Sequence, residues 1–431
     1  MSIDRESLQN LLGTFREWCR EHVEVADLEE LEQVAEDVLG ELGHAMMQEC
    51  LPPLAAAHGR PAGGVVCLCG HKARYVANRQ RGVGTLYGVV EVERAYYHCR
   101  HCRRGYVPWD AGQGLSGLLW TPRVKSLVAQ AVGYLTYSEA VEMLELLSGF
   151  RIEESCAERI VAELSGRLRA EEASQIKGCL EGTVIPLLPR PPHRLYAAAD
   201  GVSAHIGGSW HEVKVGLVYR GVPGKTGIDE CVGQHYVAAQ ETAEAFGRRL
   251  YAAAVQAGVQ AAHEVIFIGD GAEWIWNMAE LHYPGATQIL DYYHATEHIH
   301  SLARIMYGEQ SPQGERWAKD HCRELKRSGP TSLLRAMKRM KPNTSEQAEA
   351  VQREIGYFTR NRHRMEYGQF RARGLMIGSG PVEAGCKTVV GTRLKRAGMR
   401  WSPAGADAVL AVRTAMLSGD RQRVQHAAKA A

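Results

Sequence analysis

No stretch of the 431 residues approaches the roughly 20 consecutive apolar positions that a helix needs to cross a bilayer. The N-terminus also lacks the basic-then-apolar pattern of a signal peptide; it is acidic and amphipathic, and the chain is expected to stay in the cytoplasm. In that compartment the eleven cysteines read as free thiols or metal ligands, not disulfides. Net charge is nearly absent as well, at +2, so the total is silent about partners. A hydrophobic content of 45% and a charged content of 23% are those of an ordinary globular protein, long enough for about two to four domains.

What the total hides, the distribution supplies. Residues 1–50 hold thirteen acids against three Lys or Arg, whereas residues 316–341 hold nine bases against two acids. Lys387 to Arg400 adds five bases and no acid. A second half that faces a polyanion is one reading, and solvated helix faces are the other.

The first 60 residues look helical, with Leu8, Leu11, Leu12 and Phe15, then Leu28 to Met47, spaced by three or four positions. From 61 to 112 the character changes. Cys67-Leu-Cys69-Gly-His71 and Cys99-Arg-His-Cys102 flank a strand-like pair broken by Gly82 and Gly84. Two cysteine knuckles joined by a hairpin follow the plan of a zinc ribbon, although the first knuckle has a one-residue spacer instead of two. One structural Zn²⁺ on Cys67, Cys69, Cys99 and Cys102, with His71 or Cys67 completing the shortened knuckle, competes with a degenerate site and with free thiols in a hairpin. Residues 113–180 are helical, and Ser138–Leu147 and Ser155–Leu164 with a short turn between them have the rhythm of a helix-turn-helix. Any helical hairpin shares that rhythm. Gly178 to Pro192 reads as a linker.

The chain is organised around His193 to Trp276. Apolar or alternating runs at Arg194–Asp200, His211–Tyr219, Cys231–Ala238, Val265–Asp270 and Gln288–Asp291 predict five strands, with helices at Glu241–Gly258 and Ala272–Leu281. Asp200 and Asp270 would then both close strands, facing each other if the first and fourth strands are neighbours. From about 300 to 370 the chain is helical and basic, with a break near Lys341–Ser345, and reads as an insertion. Gly378-Ser-Gly-Pro-Val-Glu383 next opens a helix, with Gly380 suited to the N-cap and Pro381 to the first turn.

Each acid has an ordinary explanation. Asp270 can be an N-cap, Glu383 can complement a helix dipole, and Asp200 can begin a turn. Three carboxylates converging on one sheet instead suit hard divalent cations, Mg²⁺ or Mn²⁺. Two such ions about 4 Å apart serve phosphoryl transfer. Asp291-x-x-His294 reads either as part of such a site or as a buried pair ordering a strand end. His294 and His298, one turn apart, form a weaker candidate zinc pair. Trp274 and Trp276 suit the core. Trp401, beside Lys395, Arg396 and Arg400, suits either packing or stacking on an unpaired base.

Ala199-Asp200-Gly201, Phe267-Ile-Gly-Asp270-Gly-Ala-Glu-Trp274-Ile-Trp276, Leu290-Asp-Tyr-Tyr-His294 and Gly378-Ser-Gly-Pro-Val-Glu383-Ala-Gly-Cys-Lys387 together resemble bacterial insertion-sequence transposases of the DDE type. The likeness is to the ISKra-type family and, more distantly, to Mutator-like transposases, over most of the chain. It implies an α/β chain with an RNase H-like catalytic core at 190–300 plus 370–418, interrupted by a helical insertion at 300–370. The helical, zinc-ribbon-like and DNA-binding regions precede that core. It further implies a metal-binding triad of Asp200, Asp270 and Glu383, with Asp291 and His294 near the scissile phosphate. Lys387, Arg393, Lys395, Arg396, Arg400 and Trp401 are expected to meet DNA. Inverted repeats and target DNA are the implied partners, a dimer or larger assembly the implied state, and the nucleoid the implied place. A DNA-binding regulator without catalysis and a nuclease on the same core are the competing readings.

Overall fold

The computed structural model describes residues 27–57, 65–115, 117–184, 186 and 190–429, with Gly13, Arg16, Glu17, Arg20 and Glu21. The expected helix positions Leu8, Leu11, Leu12 and Phe15 and part of the linker lie outside the described residues. The chain divides into two compact units: Met1–Ala131 with Tyr137–Ile160 and Gln425–Ala431, and Val132–Thr136 with Val161–Val424. No helix among the described residues is long and apolar enough to cross a membrane.

In the first unit, α1 (Leu28–Ala57) precedes a four-stranded antiparallel sheet in the order β1 (Val65–Val66), β2 (Lys72–Thr85), β3 (Gly88–His98), β4 (Gly105–Tyr106). Gly82 and Gly84 do not break β2, contrary to the expectation: both are paired with β3, opposite Glu91 and Val89. Gly84 is required because a Cβ there would fall 2.1 Å from the Trp120 ring. The turn comes later, where Gly88 at φ 105° closes the hairpin. Val83, Val90, Val92, Trp109 and Leu115 form one small core and Val65, Ala73, Tyr97 and Cys99 another. Such cores are small for a folded segment, which is the situation a metal staple remedies. Three helices follow: α2 (Pro108–Gly112), α3 (Pro122–Tyr134) and α4 (Tyr137–Ser148). After α4 comes α5 (Glu154–Leu180), so two helices joined by a short connection stand where the helix-turn-helix rhythm put them.

The second unit is built on a mixed five-stranded sheet of β5 (Arg194–Ile206), β6 (Ser209–Pro223), β7 (Asp229–Ala239), β8 (Glu264–Gly269) and β9 (Thr287–Leu290). Its spatial order is β7-β6-β5-β8-β9. The first three strands form an antiparallel meander, and β8 and β9 add parallel to β5. Ala197, Ala198, Ile266, Phe267 and Ile268 are buried on both faces, as parallel central strands require. On one side lie α6 (Ala243–Gln256) and α7 (Glu273–His282), with Phe246 of α6 edge-on to Trp274 of α7. Trp276 is buried beside Phe267, so both tryptophans belong to the core as expected.

Two expectations need correction here. The first strand does not stop at Asp200. β5 runs on to Ile206 because Gly207 and Gly208, at φ 61° and 87°, make the tight two-residue turn that a long hairpin favours. The helix after residue 378 begins with Ser379 as N-cap, not Gly380.

After β9 the chain forms α8 (Tyr292–Tyr307), α9 (Pro312–Ser328), α10 (Thr331–Lys338), α11 (Ser345–Arg360) and α12 (Tyr367–Ala372), with the break where the sequence placed it. It returns through a loop into α13 (Gly380–Gly385), a π-helical segment Cys386–Gly391, a turn Thr392–Leu394 and α14 (Pro403–Leu417).

Candidate active site and cysteine centre

Register places the first two acids side by side. β5 and β8 pair in parallel up to Ala199 opposite Gly269, so Asp200 and Asp270 are the next residues on adjacent strands. Neighbouring strands lie about 4.8 Å apart. The parallel ladder ends there, which opens the edge above both carboxylates. Asp200 Oδ1 accepts from the Gly201 amide at 2.7 Å, and Asp270 Oδ1 accepts from the Ala272 amide at 2.7 Å. Among the described residues neither acid forms an ion pair with Lys or Arg. Burial pushes the Asp200 carboxyl above the usual range, and the negative charges of Asp270 and Glu383 push the same way, against the Gly201 amide and the Cys386 thiol.

Glu383 comes to this edge on α13. It sits in the first turn, one turn before Cys386, whose buried Sγ donates to Asp200 Oδ2 at 3.4 Å. Burial and then the charge of Asp200, with smaller contributions from Glu383 and Asp270, push the Cys386 thiol far up, so it remains a protonated donor amid three acids. The Glu383 carboxylate is exposed and held at 2.7 Å by Lys387 Nζ, one turn on. The three acids therefore share one locality without closing on one point. Among the described residues, the four cysteines form the group of ligand atoms lying within 4.8 Å of one another.

The loop that delivers Glu383 is fastened at successive residues. Arg194 donates to the Arg373 carbonyl at 2.7 Å, and the Asp229 amide donates to the Gly374 carbonyl at 2.8 Å. The Met376 amide donates to Tyr196 Oη at 3.3 Å, and the Tyr292 amide donates to the Ile377 carbonyl at 2.9 Å. Last, Ser379 Oγ donates to Asp291. Asp291 is buried and also accepts from the Tyr293 amide at 2.8 Å as the N-cap of α8. Burial raises its carboxyl despite those donors. Asp291 thus orders the junction between β9 and the Glu383 loop. His294 is half-buried in the first turn of α8, its ring edge-on to His298 at 5.1 Å. His298 Nδ1 lies 2.7 Å from buried Glu354.

The expected DNA-facing residues divide. Lys387, Lys395, Arg396 and Arg400 are exposed. Arg393 is 1% exposed, with its guanidinium 4.8 Å from the Trp401 ring, so its expected role in DNA contact is corrected to a packing one. Trp401 also pairs through its backbone with Ile206, and its carbonyl accepts from Gly207 at 2.8 Å, which fixes the tip of the β5–β6 hairpin. Buried Arg413 explains the π-helical turn between. It donates to the Thr388 carbonyl at 3.0 Å and the Val389 carbonyl at 3.1 Å, drawing them away from a regular helical ladder.

In the first unit the cysteines converge as their spacing suggested. Cys67 and Cys102 sulfurs lie 3.5 Å apart, and those of Cys69 and Cys99 lie 3.6 Å apart. Tetrahedral thiolates at about 2.3 Å from zinc stand about 3.8 Å from one another, so the donor set fits. The one-residue spacer is absorbed by the turn at Gly70, φ 82°. Amides of Cys102 and His101 pull the Cys99 thiol down to about 6. The Arg104 amide works against burial and the neighbouring thiols at Cys102, yet that thiol is pushed up to about 12. Together the four thiols form a centre able to hold a metal ion. His71 leans on Cys69 at 3.6 Å and stacks on His101, outside that quartet.

Sequence reasoning left three residues here without a role: Cys386, Ser379 and Tyr357. The first two lie within the motif around Glu383 and were visible as polar positions beside it. Tyr357 gives no sequence signal. No protein-family model matches the chain, and no curated protein matches it.

Proposed function

We propose that the chain is a divalent-metal-dependent DNA transposase of the DDE type, with an RNase H-like core. The sheet order, a three-stranded meander followed by two parallel strands beside its first member, supports that core. The observation that carries the reading is the pair Asp200 and Asp270 at the end of the β5–β8 ladder, with Glu383 near enough to act on Asp200. Crowded carboxylate oxygens are the set that Mg²⁺ or Mn²⁺ takes. When bound there, such a cation supplies activation of an attacking oxygen and stabilisation of a leaving one.

The chain's own residues do the rest. Asp200 and Asp270 hold fixed positions through the amides of Gly201 and Ala272, and Glu383 joins them by exchanging Lys387 for the site. Released Lys387, with exposed Lys395, Arg396 and Arg400, supplies cations to the phosphate backbone. The ribbon, holding one Zn²⁺, and helices α4 and α5 serve recognition of the element's inverted repeats. Cleavage at those ends frees a 3′-OH that attacks target DNA, which requires two ends and so a dimer or larger assembly.

In a purified assay Asp200→Asn, Asp270→Asn and Glu383→Gln should each retain end binding and abolish nicking. Nicking by all three at the parental rate removes the assignment. Strand-transfer products distinguish transposition from hydrolysis by a nuclease on the same core. Repression by the triple mutant identifies a DNA-binding regulator instead.

A further inference from the structure

We propose that Tyr357, a residue of the helical insertion, completes this centre by donating a hydrogen bond from its phenol to a nonbridging phosphate oxygen of the bound DNA strand. The inference rests on the DNA-cleaving reading and extends it to a residue from outside the sheet.

Tyr357 lies on α11 and is 8% exposed, yet its hydroxyl has no hydrogen-bond partner. A buried donor left unmade is costly, and native structures rarely keep one without a use. The direction of this one is clear from Gly271, the residue after Asp270. A Cβ on Gly271 would fall 2.8 Å from Tyr357 Oη and 2.5 Å from its ring. The phenol therefore lies against the turn that presents the second acid, and only glycine leaves it room.

Its aim is fixed by the insertion's own contacts. The His298 ring stacks on the Tyr357 ring at 3.9 Å with 12° between planes. His298 is held in turn through Nδ1 by Glu354, one turn earlier on the same helix as Tyr357. Phe358 packs edge-on at 5.3 Å. Burial keeps the phenol protonated, and the charges of Asp270, Glu354 and Asp291 act in the same direction. A protonated phenol facing acids can donate to whatever acceptor enters. A free anion is repelled by those acids, whereas a phosphodiester arriving with a divalent cation is not. The DNA backbone at the cleavage position fits that requirement.

The test uses the full-length protein and Tyr357→Phe, which keeps the ring and its stack on His298. Single-turnover nicking of an end-bearing duplex in Mn²⁺ should fall about 10- to 100-fold, the usual effect of losing one hydrogen bond to a charged oxygen. Affinity is then measured in Ca²⁺ for that duplex and for one carrying a methylphosphonate at the cleavage position. The loss on the methylphosphonate should be about tenfold larger for the parent than for the variant, because the weakened cation contact is common to both and only the parent also loses the phenol's hydrogen bond. A purely structural role would leave the gap equal in the two proteins. Nicking within twofold of the parent, or an unchanged gap, overturns the proposal while the function stands. A parent that nicks no end-bearing duplex in Mg²⁺ or Mn²⁺ overturns both.

Discussion

Replacing Asp200 by Asn should make the metal-free protein more stable. If the two carboxylates are separated by the spacing of adjacent strands, about 4.8 Å, an effective dielectric near 20 gives about 3 kcal/mol of repulsion. Asp200 is partly open to water, so about 1–2 kcal/mol of that survives screening. The amide keeps an oxygen to accept from Gly201, so little is lost in exchange. For a unit of this size such a gain raises Tm by about 3–6 °C. The sign with pH follows from the upward shift of Asp200. A carboxyl raised in the folded state gives stability that is fully present below its unfolded value, about 3.9, and is lost as pH rises through the folded value. The advantage of Asn should thus be absent near pH 3.5, grow above it and level off toward neutrality. Thermal unfolding in EDTA across that range is the assay. Adding Mg²⁺ to about a hundredfold its Kd should reverse the ranking, because the parent gains about 2.7 kcal/mol and the variant loses that gain. A variant that melts at or below the parent in EDTA at pH 7 refutes the crowding of these acids.

Three further outcomes are expected. The purified protein should carry about one zinc per chain, and Cys99→Ser or Cys102→Ser should lower that content and the melting temperature of the first unit; full retention in both would make the quartet plain thiols. Lys395→Ala with Arg396→Ala should reduce the slope of log affinity against log salt by about 1.8, and an unchanged slope moves both residues off the DNA. Asp291→Ala should cost about 1–2 kcal/mol, through the lost cap on α8 and the orphaned Ser379 hydroxyl, and should slow nicking by Glu383 misplacement. Normal activity in a measurably destabilised Asp291→Ala protein would separate the cap from the site.

Much of this was legible because local patterns and tertiary demands agreed. The runs at 194–200 and 265–270 are apolar enough to demand burial on both faces, and burial of that kind places them at the centre of a sheet. Their shared ending on an acid then follows from parallel register. The cysteine quartet was legible for the same reason, since a hairpin returns both knuckles to one end. The misreadings have equally local causes. Asp200-Gly201 looks like a turn, but the turn that ends β5 is Gly207-Gly208, and a pair of positive-φ glycines outweighs one. Gly201 serves a different need: a Cβ there would fall 2.2 Å from the Glu212 carboxylate on β6. Arg393 reads as one of a row of surface bases, yet Trp401, eight positions on, folds back over it. Such long-range closure leaves no periodic trace.

The same contrast orders the site itself. Asp200 and Asp270 are over-determined: strand register, flanking amides and a two-sided core all specify them, so they need no ligand to stand together. Glu383 is conditional. Its helix is anchored before it by Ser379 on Asp291 and after it by Arg413 on the carbonyls of the π-helical turn, while its own side chain answers only to Lys387. An exposed ion pair one helical turn apart is weakly held and screened by solvent, so it is easily exchanged. On the proposed reading, a cation held by Asp200 and Asp270 would have enough to offer Glu383 to displace Lys387, and the freed ammonium would be open to a phosphate. Closing the third ligand and supplying a backbone charge would then be one motion of two side chains, with no rearrangement of the sheet.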